Sequence, residues 1–202
     1  MPRPGPGLVV PGRELLAPGD WPGLYGRRAP LVVEIGSGKD TFLLEQAARH
    51  PERDHVGVER DPHRVAAFLR RAAERGLPNV RALPVAAELA LAACFEDGAV
   101  DVLHVYFPDP WPKERHARNR LVQSWFPRAV RRVLAADGVV FLATDDVPYR
   151  DQILAVMQAG GFVDEVGDGW RDAAPLGHET KFERLWRRAG RDIHHMVFRP
   201  AG

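Results

Sequence analysis

The residues best placed to do chemistry lie in the run Phe107-Pro108-Asp109-Pro110-Trp111-Pro112-Lys113, which leads into the basic stretch 114–120. One carboxylate stands among three prolines. A proline pulls the residue before it toward extended backbone, so Phe107, Asp109 and Trp111 are each expected to be extended. A carboxylate on so stiff a loop loses less entropy when it is positioned against a reacting group. Alone, the run reads equally well as a proline-rich strand exit with a surface Asp. Its meaning depends on what shares its edge of the fold.

Three other acidic residues close apolar runs in the same way. Glu34 lies near the end of 31–36, Glu59 ends 54–59, and Asp145 follows 139–144. After Glu34 comes the turn Gly36-Ser37-Gly38-Lys39-Asp40-Thr41. It has two glycines of a dinucleotide fingerprint and lacks the third. Asp40 falls where a helix N-terminus would meet a pyrophosphate; its charge suits the helix dipole and repels phosphate. A carboxylate such as Glu59 at the end of the second strand can bind a ribose diol. Ribose without pyrophosphate is what S-adenosylmethionine offers. No metal site is read: Cys94 is the single cysteine, and a lone cysteine makes neither an intrachain disulfide nor a paired-cysteine metal site. His104, inside an apolar strand, is expected in the core. Of His194 and His195, one ring is expected in the core and one in solvent.

These residues need a scaffold that brings strand ends together. Apolar runs at 31–36, 54–59, 79–84, 101–107, 139–144, 162–166 and 192–198 read as strands. Helical spacing appears at 42–50, 62–76, 88–95, 120–135, 148–159 and 180–189, with Pro127 expected to kink or restart its helix. The alternation predicts one α/β domain over 31–202, after an irregular Pro- and Gly-rich arm over 1–30. In such sheets ligands bind at the carboxyl ends of the strands, where Glu34, Glu59, Asp109 and Asp145 all fall. The chain has 202 residues, 45% of them hydrophobic, and a net charge of +1. RNA affinity would therefore have to come from local basic patches, at 113–120 and 184–191. No apolar run approaches the ~18 residues of a membrane span, and no signal peptide is read at the start. A cytoplasmic protein is expected.

The ordered set Glu34-Ile35-Gly36-Ser37-Gly38, Val58-Glu59, Phe107-Pro108-Asp109-Pro110-Trp111 with Lys113, Arg115 and His116, Leu121-Val122-Gln123, Ala143-Thr144-Asp145 with Tyr149, and Thr180-Lys181-Phe182-Glu183 resembles the bacterial tRNA (guanine-N7-)-methyltransferase family. The resemblance runs from about residue 31 to the C-terminus. It implies the class I methyltransferase (Rossmann-like) fold, a mainly parallel seven-stranded sheet with helices on both faces. It implies S-adenosylmethionine as cofactor and a variable-loop guanosine of tRNA as target. By the same resemblance, Glu34, Gly36, Gly38, Glu59 and Asp109 are cofactor positions, and Asp109 is also the catalytic acid. Lys113, Asp145, Thr180, Lys181, Phe182 and Glu183 are substrate positions, and Arg115, His116, Arg118 and Arg120 lie in the RNA-contacting segment. Two positions depart from the pattern: Asp40 replaces a third glycine, and Ala86 stands where an acidic residue would lie beside adenine, with Glu88 two residues on.

The chemistry agrees with that resemblance. Guanine N7 carries a lone pair, so its methylation needs alignment and no general base. A fixed carboxylate such as Asp109 can stabilise the charge that moves onto the purine. Asp109 or Asp145 can also accept from guanine N1–H and the 2-amino group, a pair of donors that adenine lacks. Lys113, Arg115, Arg118 and Arg120 are expected to grip phosphates beside a flipped-out base, and Trp111 either stacks on a base or packs under the loop. Two other classes compete: a methyltransferase for a small molecule or a protein, and a non-catalytic RNA-binding protein that kept the fold. The oligomeric state, monomer or homodimer, stays open at this stage.

Overall fold

The structure, a computed structural model, describes residues 7–8, 19–38, 41–166 and 180–201. Lys39 and Asp40 of the first turn, and the loop expected at 167–177, lie outside the described residues. Eight strands form one sheet: β1 (Gly7–Leu8), β2 (Leu31–Ile35), β3 (Asp54–Val58), β4 (Val80–Leu83), β5 (Val100–Tyr106), β6 (Leu134–Thr144), β7 (Phe162–Asp164) and β8 (His194–Pro200). Their order is β1-β4-β3-β2-β5-β6-β8-β7. β8 runs antiparallel between β6 and β7, and the other pairings are parallel. The expected seven strands are present. The eighth is β1, which pairs with Arg81 and Ala82 at the sheet edge.

Helices α1 (Trp21–Tyr25), α2 (Phe42–Arg49), α3 (Pro62–Glu74), α4 (Ala87–Leu89), α5 (Trp125–Val133), α6 (Val147–Ala159) and α7 (Lys181–Arg188) connect and cover the strands. Every residue of β2, β3 and β4 is buried, which is why these strands read as short apolar runs without alternation. One core cluster includes Val33, Leu103, Phe126, Tyr149 and Met196. A second includes Val32, Leu44, Phe68 and Val80. Val32 and Val33 are successive residues of one strand, so the two clusters lie on opposite faces of the sheet. Each fully buried Phe or Leu contributes about 2 kcal/mol.

The stretch expected to be irregular holds α1 as well as β1. Asp20 caps α1 by accepting the Gly23 N–H at 3.0 Å. The Trp21 indole N–H donates to the Cys94 carbonyl at 3.0 Å, and the Tyr25 hydroxyl donates to the His55 carbonyl at 2.7 Å. The helix expected over 120–135 is shorter, α5 alone at Trp125–Val133, and a separate 3-10 helix at Glu114–Asn119 precedes it. Pro127 falls in the first turn of α5, where its missing N–H breaks no helical bond. His194 and His195 are both buried. One ring had been expected in solvent, but β8 is an inner strand.

Candidate active site

Strand register assembles the rim. Ile35 pairs with Val58 and with Val105, and Tyr106 pairs with Ala143. The backbone carrying Glu34, Gly36, Gly38, Glu59, Asp109 and Asp145 therefore leaves the sheet along one edge. Four strands about 4.8 Å apart make that edge about 14 Å long. Two of the strand ends carry paired acids with divided work. Asp61 caps α3 by accepting the His63 N–H at 2.9 Å, and Asp146 caps α6 by accepting the Tyr149 N–H at 2.8 Å. Glu59 and Asp145 are thereby spared from capping.

Glu59 is buried, and its Oε1 accepts the Asp61 N–H at 2.9 Å. Its Oε2 faces the glycine turn, 3.8 Å from where a Cβ on Gly38 would stand. Gly36 and Gly38 have φ of 77° and 54°, in the left-handed region that only glycine adopts without strain. The turn and Glu59 thus form one cradle. Glu34 is buried on the neighbouring strand. Burial, then the charges of Glu34 and Glu183, push the Tyr106 hydroxyl well above its ordinary value.

The Asp109 loop corrects one expectation. The Phe107 N–H donates to the Ala143 carbonyl at 2.8 Å, yet φ is +49° at Phe107 and +44° at Trp111. These bulky residues are not extended. Each such backbone costs about 1–3 kcal/mol and persists only where its surroundings impose it. Arg120 braces the loop between the two. Its Nε donates to the Pro110 carbonyl at 2.7 Å and its Nη1 to Gln152 Oε1 at 2.6 Å, and its guanidinium lies 5.1 Å from the Tyr149 ring centroid. Gln152 Nε2 in turn donates to the Val122 carbonyl at 2.8 Å, and the Tyr149 hydroxyl accepts the Val122 N–H at 3.0 Å. Burial pushes the Tyr149 hydroxyl up to about 12, and the Asp109 charge adds to this. Asp109 itself is exposed at the tip.

The predicted substrate residues divide. Lys113, just before the 3-10 helix, and Arg115 and Arg118 on it are exposed, a few residues after Asp109 in the chain. His116 is half-buried and meets Trp111 edge-on at 5.9 Å, so Trp111 packs under the loop. Arg120 turns inward and is a loop clamp, not a free cation for phosphate. Asp145 is paired with Arg191. Thr180 is buried and caps α7 by accepting the Glu183 N–H at 3.0 Å. Lys181 and Phe182 face outward, with the Phe182 ring 6.3 Å from that of Phe107.

Glu183 does not face the rim. It is buried, with His195 Nε2 3.0 Å from its Oε1 and Arg187 Nη2 at 3.1 Å. Burial works to raise its carboxyl, but the hydrogen bonds and charges of His195 and Arg187 hold it below its ordinary value. The clamp formed by Arg120 and Gln152, and the buried partnership of Glu183 and His195, escaped sequence reading. The one available signal was Gln152, three residues after Tyr149 and so on the same face of α6.

Ala86 directly precedes α4 beyond β4, and Glu88 is exposed in the first turn of α4. His104 is buried as expected, 2.9 Å from the Tyr106 hydroxyl. A cleft of about 420 Å³ lies away from the rim on one face of the sheet, with Val32, His50, His55, His104 and Phe141 among its walls. Among the described residues no three His, Cys, Asp or Glu are grouped to hold a metal, and no helix is long and apolar enough to cross a membrane.

Residues 28–196 match a family described as "Putative methyltransferase". The chain is 43% identical over 186 residues to the tRNA (guanine-N(7)-)-methyltransferase of Leifsonia xyli, covering 90% of this chain and 81% of the relative. It is 41% identical over 177 residues to that of Alkalilimnicola ehrlichii, covering 87% and 74%. Among solved structures it resembles the 16S rRNA methyltransferase KamB with a TM-score of 0.66 at 19% identity, covering 92% of this chain and 95% of that one. A SAM dependent methyltransferase from Aquifex aeolicus aligns with a TM-score of 0.59 at 11% identity, covering 84% and 81%. The fold is that of the class I methyltransferases, and with relatives of this identity and coverage, the chain belongs to the tRNA (guanine-N(7)-)-methyltransferase family.

Proposed function

We propose that the chain transfers a methyl group from S-adenosylmethionine to N7 of a variable-loop guanosine in tRNA. The observation that supports this reading is one rim with a glycine turn beside a buried carboxylate, followed by an exposed loop carboxylate and an exposed basic turn. Gly36 and Gly38 leave room at the turn, and the second oxygen of buried Glu59, 3.7 Å from Arg64 Nη1, lies beside it. These residues fit a ribose-bearing cofactor, which Glu34, Gly36, Gly38, Glu59 and Asp109 would hold. When bound, it supplies an electrophilic methyl group on a sulfonium centre.

Asp109 presents a fixed negative charge toward the positive charge that moves onto the purine. The backbone clamp at Pro110 keeps that charge in place without reorganisation during the reaction. Asp145 accepts from the guanine N1–H and 2-amino group and so selects guanine. Lys113, Arg115 and Arg118 hold phosphates flanking the target, which leaves its stack to reach the rim. Lys181 and Phe182 bound the same entrance. Thr180 and Glu183, named above as substrate positions, act here by fixing α7 beneath those two.

Ala86 favours a second reading, a non-catalytic RNA-binding protein, because it removes an adenine contact. Calorimetry separates the two: cofactor binding is expected, and no heat at millimolar S-adenosylmethionine would support the second. The test of the function is incubation with methyl-labelled cofactor and unmodified tRNA, followed by mapping. Label at N7 of one guanosine is expected. Label on another atom or another RNA, with none on tRNA, would overturn the proposal.

A further inference from the structure

Arg191 has no role in the function proposed above, yet it makes the one hydrogen bond that the Asp145 side chain receives among the described residues. Its Nη1 donates to Asp145 Oδ2. The Asp145 side chain is only 13% exposed, whereas that of Arg191 is 53% exposed. A half-exposed arginine is normally mobile, and two features of the chain hold this one. Its guanidinium lies 4.1 Å from the Trp186 ring centroid, within cation–π range. Its backbone is fixed by the end of α7. Gly190 takes φ of 72°, the Gly190 N–H donates to the Arg187 carbonyl at 3.0 Å, and the Arg191 N–H donates to the Trp186 carbonyl at 3.0 Å. This is the paired-bond glycine cap of a helix C-terminus. It carries Arg191 back over Trp186 and toward β6.

We infer that Arg191 is the positioning residue that aims the Asp145 carboxylate at guanine. A carboxylate has about four acceptor sites. Arg191 occupies one on Oδ2, restricts rotation about the last side-chain bond, and leaves the other acceptor sites for the base. Guanine brings two adjacent donors, N1–H and the 2-amino group, and a carboxylate of fixed plane accepts both. A freely turning one accepts them only part of the time. The inference rests on the reading that Asp145 recognises the base.

The test uses two ligated full-length tRNAs, one with guanosine at the methylated position and one with inosine, which keeps N7 and N1–H but lacks the 2-amino group. Single-turnover methyl transfer is measured with the wild type, Arg191→Ala, Arg191→Lys, Trp186→Leu and Asp145→Asn. Wild type is expected to favour guanosine strongly. Arg191→Ala should cut that preference about tenfold, the effect of one charge-assisted hydrogen bond. Arg191→Lys should recover part of it, since lysine keeps the charge without the planar stack. Trp186→Leu should act in the same direction to a smaller extent, and serves if Arg191→Ala does not fold. An unchanged guanosine-to-inosine ratio in Arg191→Ala or in Trp186→Leu overturns the inference, even where overall activity falls. If Asp145→Asn lowers the ratio while the Arg191 variants do not, only the role of Arg191 is wrong. If Asp145→Asn leaves it unchanged, the reading of Asp145 fails and the inference with it.

Discussion

Replacing Arg120 with alanine separates two roles for that residue, a grip on phosphate and a clamp on the Asp109 loop. The clamp consists of hydrogen bonds of 2.7 and 2.6 Å to the Pro110 carbonyl and Gln152, with the Tyr149 ring below. A hydrogen bond from a charged donor contributes about 1.5–3 kcal/mol. Arg120 is half-buried, so the lower figure applies, giving about 3 kcal/mol for the pair and about 1 kcal/mol more from the ring. Against this stand two residues with positive φ, Phe107 and Trp111, at about 1–3 kcal/mol each. Strain and clamp are of similar size, so removing the clamp lets the loop relax and Asp109 leave its place. A loss of about 4 kcal/mol is nearly three orders of magnitude in the competent fraction, and substrate contacts restore part of it. Single-turnover methyl transfer at saturating tRNA should fall about 10- to 100-fold. The salt dependence of tRNA affinity should hold steady, and Arg120→Lys should rescue poorly, because one ammonium does not reproduce the fork. Weaker tRNA binding with a shallower salt slope and an unchanged transfer rate would refute the clamp.

Three other outcomes follow from the structure. Glu183→Ala leaves His195 and Arg187 without their shared carboxylate; breaking such a buried pair costs about 3 kcal/mol, so the melting temperature should drop by about 6–12 °C, and a drop under about 2 °C would mean that α7 is held otherwise. Charge-neutral replacement of Lys113, Arg115 and Arg118 together should lower the slope of log affinity against log salt by about 2–3, with an unchanged slope removing the basic turn from the RNA interface. Acid should destabilise the fold through its buried histidines. Burial lowers His55 and His104 from the ordinary 6.5 to about 3, so the unfolded chain takes up protons below about 6.5 that the folded chain refuses until about 3. Stability from this source is complete above 6.5 and is lost as pH falls, by about 2 kcal/mol per histidine at pH 5. Urea unfolding at pH 7 and pH 5 should differ by about 4 kcal/mol; equal values would contradict the buried neutral state.

The rim was legible in the sequence because its residues sit at fixed places relative to apolar runs. Glu34, Glu59 and Asp145 lie at or just after the ends of mainly apolar strands, and in a parallel sheet such ends lie on one edge. Directions of side chains off that edge were not legible. Arg120 belongs by composition to a basic stretch. Only the 3-10 helix at Glu114–Asn119 and the carbonyl of Pro110 show that it turns inward. The residues before proline were expected to be extended from local sterics, and tertiary bonds overrode that preference at Phe107 and Trp111. Thr180 to Glu183 read as one substrate motif. At a helix start, though, the cap and the third residue point inward while the two between point out. Arg191 reaches Asp145 through a glycine cap 46 positions away in sequence, a distance over which one sequence carries no pairing signal.

The most direct test of the proposed reaction replaces a single atom of the substrate. Methyl transfer is measured on a tRNA carrying 7-deazaguanosine at the mapped position, where a carbon replaces N7 and the base-pairing edge is kept. The site described here predicts that this tRNA still competes for binding at near-normal affinity and accepts no methyl group. Methylation of the 7-deaza tRNA at the same nucleotide would contradict transfer to N7.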